Sequence, residues 1–230
     1  MPSTYTGLGT QLMATGEKAG TWGTLTNTNL QIIEQIAGGY VSIACNTTGA
    51  TTLAVSDGAA TDANQVAHRV IELTAALGGN ITVTIPLDVQ TFYIIKNSTT
   101  NAYTVEFKYV SGSGSSATWS TTDKGTKILY ATANDGTNPD IVDVMATSSK
   151  ITLVNNNALV FNDADNSAAV TLDVPTAVSG SYTLTLPAAV GAAADYALTT
   201  SDGSGNTQWT ATSTFGISTG KAIAMAMIFG

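Results

Sequence analysis

The segments ITVTIP, residues 81–86, and YTVEFKYV, residues 103–110, decide the fold class of this chain. In both segments apolar side chains occupy every second position, and threonine or charged residues stand between them. Successive side chains of a β-strand point to opposite faces, so this spacing predicts strands with one face in a core. Similar short segments, separated by turn-rich stretches, recur between residues 51 and 145. We therefore predict an antiparallel β-sandwich or jelly-roll-like domain over residues 41–147.

One short helix is predicted before this domain, at residues 27–37. Thr28 and Gln31 have the spacing of a capping box, and a Gly-Gly pair follows the last apolar residue. Leu30 and Ile33 share one face of the helix, which is marginal in water unless it packs on something. Two partners fit its wide apolar stripe: the adjacent sheet, or copies of the same helix around a threefold axis.

A second β region follows, with a smaller set of side chains. Between residues 168 and 197 the apolar residues are mostly Ala, Val and Leu. They supply a thin apolar layer per chain, which gains most by sharing a core with neighbouring chains. We expect three parts: an N-terminal segment with the helix at residues 1–40, the β domain at 41–147, and a C-terminal β region at 148–230.

Charge argues against two classes of partner. Eight basic and sixteen acidic residues give a net charge of −8. A chain without a basic cluster lacks the electrostatic footprint of a nucleic-acid binder and has nothing to attract it to an anionic membrane surface. The apolar run at residues 222–229 is shorter than a membrane-spanning helix. We expect neither a nucleic-acid partner nor membrane insertion.

Patterns of catalytic and metal-binding residues are sparse. His68 is the only histidine and Cys45 the only cysteine, too few for a tetrahedral zinc site, and no G-x-S-x-G motif accompanies them. Residues 216–221, GISTGK, are one residue short of a phosphate-binding loop. We therefore expect no enzyme, no cofactor and no metal. A pair of carboxylates that meets across a subunit interface, as glycoside hydrolysis requires, stays open.

Three passages resemble tail-fibre proteins of bacteriophages. The opening, GLGTQLMATGEKAGTWGTLTNTNLQIIEQIAGG at residues 7–39, is similar to N-terminal segments of fibre-like proteins from phages of marine bacteria. The second passage, ITVTIP…FYIIKNSTTNAYTVEFK…KILYATANDGTN, looks like a β-domain that is common in phage fibres. The third, SYTLTLPAAVG…YALTTSDGSGNTQWT at residues 181–210, resembles an element of trimeric fibres in which each chain contributes strands around a threefold axis. Fibres of this family are often several times longer than this chain.

The resemblance implies a homotrimeric structural protein of a phage virion, assembled in the bacterial cytoplasm, with the C-terminal β region intertwined in the trimer. Its partners would be other tail or head proteins at one end and a host surface glycan or protein at the other. The usual fibre arrangement places residues 1–40 at the particle. The candidates for docking there, each of which also fits a simple core role, are Trp22, Leu25, Leu30 and Ile33.

An exposed turn near residue 205 is the candidate contact with a host ligand. Its residues are Asp202, Gly203, Asn206 and Trp209, and for Trp209 packing at the trimer axis is favoured over contact with a ligand. Two other functions stay open. One is a capsid-decorating or tail-adaptor protein without host binding, and the other is a surface-polysaccharide depolymerase.

Overall fold

The computed structural model of this chain describes residues 4–148, 153, 158–163, 167–174, 177–178, 180–181, 183–191, 194–202, 204–215 and 227. The chain divides into two compact units, Met1–Ile151 and Thr152–Gly230. Each unit has its own strands.

The first unit contains one α-helix and eleven strands among its described residues. In chain order they are β1 (Thr4–Tyr5), β2 (Gln11–Leu12), α1 (Trp22–Gly38), β3 (Tyr40–Ala44), β4 (Gly49–Thr52), β5 (Val70–Thr74), β6 (Ile81–Ile85), β7 (Thr91–Asn97), β8 (Val105–Tyr109), β9 (Ala117–Trp119), β10 (Thr126–Ala131) and β11 (Ile141–Asp143).

From β3 to β8 the chain alternates between two sheets. Strands β3, β5 and β7 lie side by side in one sheet, and β4, β6 and β8 lie side by side in the other. All four pairings among these strands are parallel. The chain therefore coils through three turns, β3–β4, β5–β6 and β7–β8, and each turn stacks on the one before it. The last three strands pair antiparallel: β9 with β8, β10 with β7, and β11 with β10. The completed sheets have the orders β11-β10-β7-β5-β3 and β4-β6-β8-β9.

One hydrophobic core lies between these two sheets. Tyr93 of β7 and Phe107 of β8 meet edge to face across it, with ring centroids 5.8 Å apart. The hydroxyl of Tyr93 donates to the carbonyl of Val66 at 2.8 Å, so this buried polar atom is satisfied. Trp119 of β9 is also fully buried, and its indole nitrogen donates to the carbonyl of Gly125 at 2.8 Å.

The mainly β fold with one helix, predicted from the alternating pattern, is confirmed. The pattern of residues 68–77 fits either a strand, which we place at 69–73, or one or two helical turns; the structure has strand β5, Val70–Thr74, there. The prediction of an antiparallel domain is wrong for the central strands, which pair in parallel. The reason is that side-chain alternation is the same in both directions, and that each parallel pair here is connected through a strand of the opposite sheet rather than through a long crossover helix.

The helix is longer than predicted. It begins at Trp22 rather than at residue 27, and Thr21 occupies the N-cap without a side-chain cap bond. Thr28 therefore lies inside the helix, where its hydroxyl donates to the carbonyl of Thr24 at 3.1 Å, and the capping-box prediction is wrong. Within the predicted part of the helix, the side-chain amide of Asn29 donates to the carbonyl of Gln11 at 2.9 Å and its oxygen accepts from the Gln11 amide at 3.0 Å, which attaches α1 to β2.

The predicted helix end is confirmed, because α1 ends at Gly38. Gly39 follows in an extended conformation with φ −64° and ψ 147°. A Cβ atom at Gly39 would lie 2.8 Å from the backbone of Gln35 and 3.0 Å from the ring of His68. Only glycine therefore permits this close approach of the helix end to His68.

The second unit contains two hairpins among its described residues. They are formed by β12 (Leu159–Asn162) with β13 (Ala169–Leu172), and by β14 (Tyr196–Thr200) with β15 (Thr207–Ala211). Both hairpins are antiparallel, and an isolated parallel bridge joins Thr185 to Asn206. A two-stranded hairpin is at best marginally stable alone in water, so these strands need further packing.

Candidate association surfaces

The outward side of α1 carries an apolar stripe that nothing in the described part of the unit covers. The stripe consists of residues spaced by four or three positions, which places them along one side of a helix. Trp22 is 64% exposed, Leu30 58% and Ile33 52%. We define the outer stripe as Trp22, Thr26, Leu30, Ile33 and Ala37.

The inward side of the same helix attaches it to the β domain. Ile32 is fully buried, and Leu25 is half-buried. The paired hydrogen bonds between Asn29 and Gln11 hold this side against β2. Leu25 is thus separated from the other three docking candidates, since Trp22, Leu30 and Ile33 lie on the outer stripe and Leu25 faces the body of the unit.

Charge is almost absent from α1. Glu34 is the only ionisable residue in its sequence, WGTLTNTNLQIIEQIAG, and it is exposed beside the outer stripe rather than within it. The stripe therefore offers neither a cationic nor an anionic group to a partner. Its recognition chemistry is mainly apolar contact.

The second unit exposes its apolar side chains throughout its described part. None of the residues described beyond 152 is buried. On the β12–β13 hairpin, Leu159 pairs with Leu172 and Phe161 with Val170, so all four side chains share one face. Their exposed fractions range from 47% to 67%. We call Leu159, Phe161, Val170 and Leu172 the hairpin face.

The predicted exposed turn lies at the tip of the β14–β15 hairpin. The carboxylate of Asp202 accepts hydrogen bonds from the backbone amide of Ser204 at 2.8 Å and from the side-chain amide of Asn206 at 2.6 Å. These bonds lower the pKa of Asp202. Asp202 and Asn206 are both exposed and lie together at this tip, whereas Gly203 lies outside the described residues.

Trp209 lies on β15 rather than in the turn. It pairs with Leu198 across the hairpin, and its indole nitrogen donates to the carbonyl of Ala189 at 2.8 Å. The ring is 40% exposed. Trp209 therefore belongs to an apolar face of the second hairpin, separate from the polar cluster of Asp202 and Asn206.

The outer face of the five-stranded sheet carries a bonded polar cluster. Glu72 of β5 accepts from Lys96 of β7 at 2.8 Å and from the hydroxyl of Ser98 at 2.5 Å, and Tyr40 of β3 also donates to it. The bond from Lys96, followed by those from Ser98 and Tyr40, lowers the pKa of Glu72 to about 2. This carboxylate is fully engaged in connecting three strands and is a structural group.

His68 and Cys45 are both buried. His68 follows the 3-10 turn Gln65–Ala67, and its Nδ1 lies 3.1 Å from the carbonyl of Asn64, so Nδ1 carries the donated proton. Burial raises the pKa of the Cys45 thiol to about 11, which keeps it a thiol at neutral pH. Within the described ranges no three His, Cys, Asp or Glu side chains are placed to hold a metal ion.

In the described part of the chain, no helix is long and apolar enough to cross a bilayer. Comparisons with protein-family models, with curated proteins and with solved structures found no match.

Residue patterns alone did not identify the hairpin face as a site. Alternation in residues 159–162 and 170–174 predicted the strands, and β12 has the predicted bounds. The one related signal in the sequence is the restricted set of apolar residues, mostly Ala, Val and Leu, between residues 168 and 197. Only the structure shows that Leu159 pairs with Leu172 and Phe161 with Val170, which brings the four side chains onto one face of the hairpin.

Proposed function

We propose that this chain is a structural component of a phage virion, a short homotrimeric tail fibre that takes part in attachment to the host cell surface. The assignment to phage fibres rests on the sequence resemblance of residues 7–39, 81–138 and 181–210. The physical support for a multimer is independent of that resemblance and comes from the second unit.

The observation that carries the multimer is the uncovered apolar surface of the described residues between 153 and 215. A two-stranded hairpin whose one face is Leu159, Phe161, Val170 and Leu172 has no second layer within its own described unit. Contiguous exposed apolar surface of this kind marks an interaction site or an aggregation hazard. Packing the hairpin faces of several copies together removes the apolar surface from water and supplies the missing layer.

The fibre arrangement gives the two ends different roles. Residues 1–40 would face the particle, and the polar turn around Asp202 and Asn206 would face the host. The first unit, which includes residues 1–40, has a complete core of its own. No catalytic role is proposed for any residue. The carboxylate of Glu72, which lies in the polar cluster on the five-stranded sheet, is paired with Lys96 and accepts a hydrogen bond from Ser98.

Labelling of virions tests the function directly. Antibody fragments raised against the purified chain would be applied to intact phage particles that encode it and located by electron microscopy. The proposal predicts label at the tail, and it predicts that the purified protein binds host cells and competes with adsorption. A variant in which Asp202 and Asn206 are both changed to Ala loses the polar side chains of the turn and is expected to bind host cells less.

The same experiment separates the competing functions. Label over the head, or label on the tail without host binding, would favour a decorating or adaptor protein. Release of reducing sugar from host envelope by the purified protein would favour a depolymerase. Absence of label from the particle would contradict the proposal that the chain is a virion component.

A further inference from the structure

We infer that the outer stripe of α1 packs against the outer stripes of the other two subunits, so that three α1 helices form a short parallel bundle as a second contact within the trimer. This inference rests on the proposed homotrimer and names a further contact within it. The occupant of the stripe is thus a second copy of this chain.

The spacing of the stripe is that of a coiled-coil seam. Thr26, Leu30, Ile33 and Ala37 are separated by four, three and four residues, which alternates as the d, a, d and a positions of a heptad. Leu30 falls at an a position and Ile33 at a d position. Leu at a with Ile at d favours trimers and tetramers over dimers. The residue types in the seam therefore agree with threefold association.

The burial of α1 leaves this seam available. Ile32 is fully buried on the other side of the helix, so α1 is already fixed to its own unit by one face. Leu30 and Ile33, which are more than half exposed, gain apolar contact only from outside the described unit. The helix thus resembles a helix of a bundle, with one apolar side packed on its own unit and a second apolar side exposed.

The charge distribution suits like-with-like packing. A seam formed by three identical stripes would place no ionisable group in contact with its own copy, because Glu34 is the only one on α1 and lies beside the stripe. Identical carboxylates in the seam would repel one another. The stripe lacks that obstacle, and it also lacks the complementary charge that commonly directs binding to a different protein.

The length of the seam explains why it would act only within an assembled trimer. The helix has 17 residues and two full sets of seam positions, which is marginal for free association. A trimer held together by its second unit makes the association of the three helices intramolecular and raises their effective concentration. We therefore expect the bundle to depend on the C-terminal contact.

Site-specific disulfide formation tests the inference in the full-length chain. Cys45→Ser gives a background without cysteine, into which Leu30→Cys places a thiol in the seam. Gln31→Cys, one residue later at an exposed position outside the stripe, is the matched control. Under mild oxidation we expect L30C to form covalent dimers at least about tenfold faster than Q31C, because only the seam positions come within disulfide reach.

The native mass of both variants is measured by light scattering in the same samples, which separates the two levels of the proposal. A trimer in which L30C crosslinks preferentially supports the helix bundle. A trimer in which L30C and Q31C crosslink equally slowly overturns the bundle but leaves the homotrimer intact, and the stripe is then open to another virion protein. A monomer overturns the homotrimer and the bundle with it.

Discussion

Single side chains join neighbouring strands on the outer faces of the sheets. Glu72 is the clearest case, since it connects β3, β5 and β7 through Tyr40, Lys96 and Ser98. The sequence showed only that these residues alternate with apolar ones. Which strands become neighbours, and hence which charges meet, follows from the parallel register that aligns Glu72 with Lys96.

Replacement of Glu72 by Gln is expected to destabilise the fold in a pH-dependent way. The pKa of Glu72 falls from its ordinary value of 4.5 to about 2 in the folded state. A lowered carboxyl pKa contributes stability above pH 4.5 that is lost as the pH falls through about 2. The free energy of unfolding of E72Q should therefore lie below that of the parent at pH 7, and the two should converge toward pH 2.

Urea unfolding at both pH values measures this difference. Glu34→Gln, which removes an exposed carboxylate from α1, is the matched control and should show little difference at either pH. An E72Q deficit of equal size at pH 7 and pH 2 would contradict the ionic role of the cluster and point to packing instead.

At the scale of elements, periodicity predicted where strands lie and could not predict how they pair. The strands at Ile81–Ile85 and Val105–Tyr109 were expected from their alternation, and their core faces are those that the alternation indicated. Parallel direction was not predictable, because it depends on each connection passing through the opposite sheet. The first turns of α1 were missed because a Gly- and Thr-rich stretch has weak helical propensity.

Phe107→Ala tests whether the two sheets share one core. Phe107 is fully buried in β8 and contacts Tyr93 of the opposite sheet at 5.8 Å between ring centroids. Loss of a buried Phe ring costs about 3–5 kcal/mol, so urea unfolding should show a deficit of that order. Val110→Ala, which truncates a side chain at the exposed end of the same segment, should change stability by less than about 0.5 kcal/mol. Equal effects of the two substitutions would argue against a shared core at Phe107.

At the scale of the whole molecule, the two units differ in whether they bury their apolar side chains. The first unit buries a core that includes Phe107 and Trp119, whereas no described residue beyond 152 is buried. The restricted apolar set of residues 168–197 indicated a thin layer. Composition could not reveal that Leu159, Phe161, Val170 and Leu172 are joined in one uncovered face, because that face depends on the hairpin register.

This contrast predicts different behaviour for a fragment and for the full chain. A fragment of residues 1–151 should unfold cooperatively and remain monomeric, because its core is complete and the α1 seam alone is too short to assemble it. Urea unfolding followed by tryptophan fluorescence and light scattering of the fragment would check both properties. A fragment that forms stable trimers would instead place the main subunit contact in the first unit.

The native mass of the full-length chain tests the central claim most directly. Size exclusion with light scattering should give about 70.5 kDa, three times the chain mass of 23.5 kDa. That mass is expected because several copies are needed to cover the hairpin faces of the second unit. A single species at 23.5 kDa that stays soluble would contradict the account, since the exposed faces of residues 153–215 would then need no second copy.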